Sequence, residues 1–166
     1  KKALPNALFV NLYGPTEITC NCTYHILDPG RTYEQGIPIG QAFENKGVFL
    51  LDEQDHEIIE PNQTGELCVK GRGLALGYYR NEVQTQAHFT SNPLQKAYEE
   101  RIYRTGDLAY VNDEGLIIYL GRMDNQVKVK GNRIELGEIE NAQCVLAELK
   151  VLVRCLTRKI RRLCCL

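Results

Sequence analysis

A tyrosine, a threonine and a glutamate crowd one short loop, Tyr13-Gly14-Pro15-Thr16-Glu17, just after the apolar run Leu8-Phe9-Val10. An aromatic ring can stack on a purine. A threonine hydroxyl can bond a phosphate oxygen. A glutamate can hold Mg²⁺, an ion that keeps several waters and takes one or two carboxylates plus substrate phosphates. The same residues also make a capped turn over a buried tyrosine, and the loop alone does not choose between the two readings. A second group lies far along the chain: Arg104 and Asp107 before the turn Asn112-Asp113-Glu114-Gly115, and Tyr119 and Arg122 after it. If that four-residue turn closes a hairpin, Val111 pairs with Leu116 and Asp107 lies opposite Leu120. The four side chains then share one rim. A carboxylate suits the paired hydroxyls of a ribose, and an arginine suits phosphate. A purely structural Asp–Arg pair, with Tyr119 as a cross-strand packing aromatic, is the competing reading.

The elements that must carry these groups follow from periodicity and turn chemistry. Residues 7–13 form a short apolar strand of the kind buried on both faces of a sheet. Gly14-Pro15 ends it, so Thr16 and Glu17 fall in the loop beyond its carboxyl end, where open α/β sheets bind ligands. The chain from residue 20 to about 120 is β-rich, with strands expected over 22–27, 47–52, 65–70, 104–111 and 116–120. One helix is expected over 82–89, with Asn81 as its cap. Residues 121–124 form a joint. Val127 and Val129 then alternate with Lys128 and Lys130, Gly131-Asn132 suits a hairpin turn, and Ile139, Ala142, Leu146 and Leu149 share a helical face.

Composition narrows the class. The chain has 166 residues, 43% hydrophobic and 25% charged, with a net charge of −1. These are the proportions of a water-soluble globular protein, and they give no electrostatic case for nucleic acid or an anionic membrane. Neither a membrane span nor a signal peptide is expected. The seven cysteines include no C-x-x-C pair. They fit a reduced, cytoplasmic setting better than a disulfide framework or a zinc site. His25, His56 and His88 have no metal-ligating spacing. Gly71-Arg72-Gly73-Leu74-Ala75-Leu76-Gly77-Tyr78 lacks the lysine of a P-loop and is read as turn glycines. The first residue is Lys1 and the single methionine is Met123, so the chain is expected to be a piece of something longer.

Four ordered segments resemble the adenylate-forming, AMP-binding enzyme superfamily. They are Asn11 to Glu17 (N-x-Y-G-P-T-E), Gly65-Glu66-Leu67 with Gly77-Tyr78, Tyr103 to Leu108 (Y-R-T-G-D-L), and Gly121 to Glu140. Pro15 and Gln126-Val127 favour the amino-acid-activating branch: nonribosomal peptide synthetase adenylation domains and D-alanine–carrier-protein ligases. The resemblance implies an α+β fragment: the end of an α/β core, a distorted β-barrel subdomain over about 22–120, a hinge at 121–125, and the truncated start of a small α+β domain over 126–166.

It implies roles as well. Tyr13 would stack on adenine, with Asn11 near its edge and Tyr119 bordering it. Thr16 would contact the α-phosphate, and Glu17 would hold Mg²⁺; these two are the catalytic candidates. Asp107 would bind the ribose hydroxyls, and Arg122 the ribose or phosphate. Leu12, Cys20 and Asn21 would wall the amino-acid pocket. Asp124 would be the hinge, and Gly131 would lie beside a pantetheine tunnel. The implied reactants are ATP with Mg²⁺, an amino acid, and a phosphopantetheine carrier. Two family features have no counterpart here, the Ser/Thr/Gly-rich phosphate loop and the C-terminal catalytic lysine. The chain alone is therefore expected to be inactive. A non-catalytic relic, or a β-rich interaction module of the same ancestry, is the rival expectation.

Overall fold

The computed structural model describes residue 4, residues 6–34 and 36–124, and the backbone of 126–129 and 132–135. The chain divides into two compact units, Lys1–Met123 and Asp124–Leu166. Within the first unit the regular structure of the described residues is mainly antiparallel β-strand.

Strand β1 (Val10–Tyr13) pairs antiparallel with β2 (Thr23–Ile26), which pairs with the short β3 (Gln41–Ala42). Alternation along β1 turns Asn11 and Tyr13 to one face and Val10 and Leu12 to the other. Val10, Leu12 and Ile26 remain largely exposed on that second face. A larger sheet has the order β4 (Lys46–Leu51), β5 (Gly65–Gly71), β7 (Arg101–Val111), β6 (Phe89–Ser91). Strand β8 (Ile117–Arg122) also pairs with β7. The 11-residue β7 is the organising strand. One edge takes β5 throughout; the other takes β6 at its start and β8 at its end.

The two sheets are stitched at Gly40 and Ile117, where Ile117 N–H donates to Gly40 O at 2.9 Å and Ile39 N–H to Ile117 O at 2.9 Å. Between them lies a core of Ile39, Leu50, Ile58, Leu67, Ala109 and Ile117. A second core joins Ile18, Cys22, Val69, Phe89 and Tyr103. Tyr13 packs against both.

The helix α1 (Glu82–His88) forms as expected, and Asn81 Oδ1 accepts the N–H of Gln84 at 3.1 Å. Strands β2, β4, β5, β7 and β8 lie where the alternation placed them. The short β3 and β6 have too few residues to show a period. The hairpin register differs from the expected one. Val111 faces Ile117 and Asp107 faces Arg122, not Leu116 and Leu120. Two causes combine. Asn112 still pairs with Leu116 through its own N–H, at 2.9 Å, which leaves only Asp113-Glu114-Gly115 as the loop. The register then shifts again between Leu108 and Ala109, a β-bulge that advances β8 by one residue.

In the second unit, β9 (Gln126–Val129) and β10 (Asn132–Glu135) pair antiparallel, with Asn132 facing Val129. Asn132 therefore opens a strand instead of sitting in the turn. The helix expected from Ile139 onward lies outside the described residues.

Candidate functional site

The strand β1 delivers Tyr13 and then stops. Pro15 is extended (φ −75°, ψ 159°) and leads into a single 3-10 turn, Thr16–Ile18. Thr19 and Cys20 follow in left-handed conformations (φ 58° and 69°) and turn the chain back. Cys22 N–H then reaches Tyr13 O at 2.8 Å. This loop is tied down from outside. Ala75 N–H donates to Glu17 O at 2.8 Å, Thr19 Oγ1 to Gly73 O at 2.9 Å, and Lys46 Nζ to Ile18 O at 2.7 Å. Two of these bonds tie the glycine-rich segment after β5 to the Thr16-Glu17 loop.

Tyr13 and Asp107, 94 residues apart in sequence, meet directly: the phenol donates to Asp107 Oδ2. Arg122 Nη1 lies 3.1 Å from Asp107 Oδ1. The Tyr119 ring lies 6.1 Å from that of Tyr13, tilted by 38°. Asp107 is only 6% exposed, while Tyr119 is 40% exposed. One cluster therefore holds two aromatic faces, a buried carboxylate and a guanidinium, built from the end of β1 and the β7–β8 pair. Burial raises the Tyr13 phenol well above its ordinary pKa, and the neighbouring Asp107 charge adds to the rise. It stays a hydrogen-bond donor across the whole working pH range.

The other candidates are placed as follows. Asn11 shares the Tyr13 face of β1, and its amide donates to Pro38 O at 2.9 Å. Thr16 is exposed, but Glu17 beside it is 6% exposed and turned inward. Glu17 Oε1 accepts from the Tyr78 hydroxyl at 2.7 Å, and that hydroxyl lies 3.2 Å from the Tyr103 hydroxyl. Leu12, on the opposite face from Tyr13, is 49% exposed, Cys20 is exposed and Asn21 half-buried. The close passage of Cys20 and Asn21 over Gly14 puts all three at one end of the β1–β2 pair. Asp124 is an exposed bend at the start of the second unit. Gly131 lies outside the described residues.

Arg104 does not join the rim. Its Nε lies 2.9 Å from Glu66 Oε2 and its Nη2 2.8 Å from Asp55 Oδ1. Arg104 and Asp107 are three residues apart, an odd step that turns them to opposite faces of β7, and Arg122 pairs with Asp107. Two surface clefts, of about 210 and 270 Å³, are lined by Arg31, Tyr33 and Asn112 and by Val48, Phe49 and Lys70 respectively. Neither is lined by the Tyr13 cluster.

Among the described residues no three His, Cys, Asp or Glu side chains gather as a metal cage. Of the three oxygen-bearing side chains here, Glu17, Tyr78 and Tyr103, the Glu17 carboxylate is the one that could ligate a cation, while the Tyr78 phenol donates a hydrogen bond to it and burial holds the proton on Tyr103. One carboxylate fits Mg²⁺ whose remaining ligands are waters and substrate phosphates, and it does not fit a self-contained protein site. Among the described residues no helix is long and apolar enough to cross a membrane.

The family model described as AMP-binding enzyme matches residues 1–79. Gramicidin S synthase 2 of Brevibacillus brevis is 45% identical over 141 residues, 84% of this chain and 3% of that protein. Surfactin synthase subunit 2 of Bacillus subtilis (strain 168) is 47% identical over 141 residues, 84% of this chain and 4% of that protein. A solved nonribosomal peptide synthetase protein, containing adenylation and PCP domains and bound to a vinylsulfonamide inhibitor, superposes with a TM-score of 0.79. Its identity is 39%, over 85% of this chain and 24% of that one. The Vibrio cholerae adenylation domain AlmE, in complex with glycyl-adenosine-5'-phosphate, superposes with a TM-score of 0.66 at 37% identity, over 80% of this chain and 25% of that one. The chain belongs to the AMP-binding, adenylate-forming enzymes, in the branch of nonribosomal peptide synthetase adenylation domains. It spans about a quarter of those solved structures and a few per cent of the synthetases.

Sequence reasoning missed the supports of the site: Lys46, Glu66, Tyr78 and Thr105. Glu66, Tyr78 and Thr105 lie inside segments that carry the resemblance, so their positions were legible and their tasks were not. Those tasks are contacts across 25 to 61 residues of sequence.

Proposed function

We propose that this chain is the ribose- and adenine-holding part of an ATP-dependent amino-acid-activating enzyme. In the whole enzyme an amino-acid carboxylate oxygen attacks the α-phosphorus of ATP. A new C–O–P linkage forms, the α–β P–O bond breaks, and pyrophosphate leaves with the electron pair. A phosphopantetheine thiol on a carrier protein then takes the aminoacyl group as a thioester, and AMP departs. The protein's part is positioning and charge stabilisation.

The observation that carries this reading is the meeting of Tyr13 with Asp107, Tyr119 and Arg122. Tyr13 and Tyr119 would offer faces to adenine, with Asn11 near its edge. Asp107 would accept the ribose hydroxyls, exchanging the Tyr13 phenol for them, and Arg122 would hold the carboxylate charged and reach toward ribose or phosphate. Thr16, exposed on the loop, would bond the α-phosphate. Glu17 would hold Mg²⁺, which when bound neutralises phosphate charge. Leu12, Cys20 and Asn21 would border the amino acid, Asp124 would serve as the hinge between the two half-reactions, and Gly131 would flank the pantetheine path. The chain by itself is proposed not to turn over, because no segment in it corresponds to the phosphate loop or the C-terminal lysine.

The test is amino-acid-dependent exchange of pyrophosphate into ATP by the polypeptide that contains this segment. Exchange is expected there and not with the 166-residue chain alone. Asp107→Ala in that polypeptide removes a charge-assisted hydrogen bond of about 1.5–3 kcal/mol. The KM for ATP should therefore rise about 10- to 100-fold. Unchanged nucleotide affinity would overturn the assignment.

A further inference from the structure

Asp107 sits in an interruption of β7. Arg104 pairs with Cys68 and Leu108 with Glu66, so Thr105, Gly106 and Asp107 stand where β5 has only Leu67. Such an insertion removes backbone N–H and C=O groups from the ladder, and buried ones must be met elsewhere. Here several are met by defined partners. Thr105 Oγ1 donates to Leu67 O at 2.7 Å and accepts Asp107 N–H at 3.0 Å. Glu66 Oε1 accepts Gly106 N–H at 3.0 Å, while Oε2 is fixed by Arg104 Nε at 2.9 Å. Met123 N–H donates to Gly106 O at 2.8 Å, and Arg122 Nη1 to Thr105 O at 2.9 Å. Thr105 is 1% exposed, and Gly106 takes the left-handed conformation, φ 68°. Thr105 and Glu66 thus substitute for the missing ladder at the N–H groups of Gly106 and Asp107, the latter being the residue that would read the sugar.

We propose that Thr105 and Glu66 are positioning residues for ribose recognition: they hold the β7 bulge so that the Asp107 carboxylate meets the sugar hydroxyls. The proposal rests on the assignment of Asp107 to the ribose. Its physical basis is the geometry of a hydroxyl–carboxylate contact, which spans about 2.5–3.0 Å and weakens steeply as its angle falls below about 120°. It also rests on the side-chain period of a strand: a bulge relaxed by one residue turns Asp107 to the other face. Neither Thr105 nor Glu66 would itself touch nucleotide. Their effect should appear as lost discrimination between nucleotides that differ only in a sugar hydroxyl.

The experiment uses the intact synthetase polypeptide of which the chain is proposed to be part. Pyrophosphate exchange is measured with ATP, 2′-deoxy-ATP and 3′-deoxy-ATP. The native protein should prefer ATP to at least one deoxy analogue by about tenfold or more in kcat/KM, and Asp107→Ala should abolish that preference. Thr105→Val keeps the shape and deletes the hydroxyl. Glu66→Gln puts an NH₂ against either Gly106 N–H or Arg104. Each should cut the preference at least about threefold, mainly through KM for ATP, with the deoxy analogue little affected. Thr105→Ser should restore it. If Thr105→Val does not fold, Glu66→Gln decides. A merely structural role would lower the rates with both nucleotides alike and leave the ratio intact, and that result overturns the inference. A preference absent in the native protein, or surviving Asp107→Ala, overturns the ribose assignment instead.

Discussion

Gly14 has no room for another residue. The backbone of Cys20, Asn21 and Cys22 folds back so tightly that any Cβ at position 14 would overlap the Cys20 carbonyl oxygen and the Asn21 Cα. These are main-chain atoms, so no rotamer change relieves the overlap. The approach is what lets Cys22 N–H pair with Tyr13 O and so sets where Tyr13 points. Gly14→Ala should therefore destabilise the first unit by about 1–3 kcal/mol, the usual cost of overpacking. A urea midpoint unchanged by that substitution would contradict the loop geometry. The sequence showed a Gly-Pro break at this place but not why glycine is required, because the colliding atoms come six to eight residues later through a left-handed turn. The same limit applies to Glu17. Its residue type was legible, but its inward direction depends on Tyr78 and Tyr103, 61 and 86 positions further on.

The β7–β8 hairpin shows how an element can be foreseen and still be misregistered. Turn residues located it, yet a four-residue loop was expected where three residues connect the strands. The Asn112 side chain makes the difference: its Oδ1 accepts Glu114 N–H at 3.1 Å and Leu116 N–H at 2.8 Å. This keeps residues 112 and 116 paired and moves every later partner by one. With the further bulge, Arg122 arrives opposite Asp107. Asn112→Ala should cost about 1 kcal/mol and speed hydrogen exchange at the Leu116 amide, while Asn112→Asp should retain most of the stability. Equal exchange in Asn112→Ala and the native protein would show that the strands hold the register unaided.

At the scale of the whole chain, burial makes folding sensitive to alkali. Burial pushes the Cys22 and Cys68 thiols up to about 12, and it raises the Tyr13 and Tyr103 phenols above their ordinary range. In the unfolded chain the thiols ionise near pH 8.5 and the phenols near pH 10. The folded state therefore holds these protons more tightly than the unfolded state. The resulting stability is complete below about pH 8 and is lost as pH rises through roughly 9 to 12. Urea midpoints should be level from pH 6 to 8 and fall steadily above pH 9. Replacing both Cys22 and Cys68 with alanine should flatten part of that fall, and a midpoint independent of pH up to 11 would contradict the burial.

The order of short motifs along the polypeptide placed the chain among adenylate-forming enzymes by resemblance, and turn residues, strand alternation and a helix cap, all local properties, placed its elements. The same alternation located β2, β4, β5, β7 and β8 and the helix. Only the tertiary structure decided that Tyr13 meets Asp107, that Arg104 leaves the rim for Glu66 and Asp55, and that Thr105 and Glu66 brace the bulge. The register that sets Asp107 against Arg122, and the bulge itself, depend on where a strand gains or loses a residue against its neighbour. A single added residue reverses which face a side chain occupies, and the partner that compensates for it can lie anywhere in the sequence.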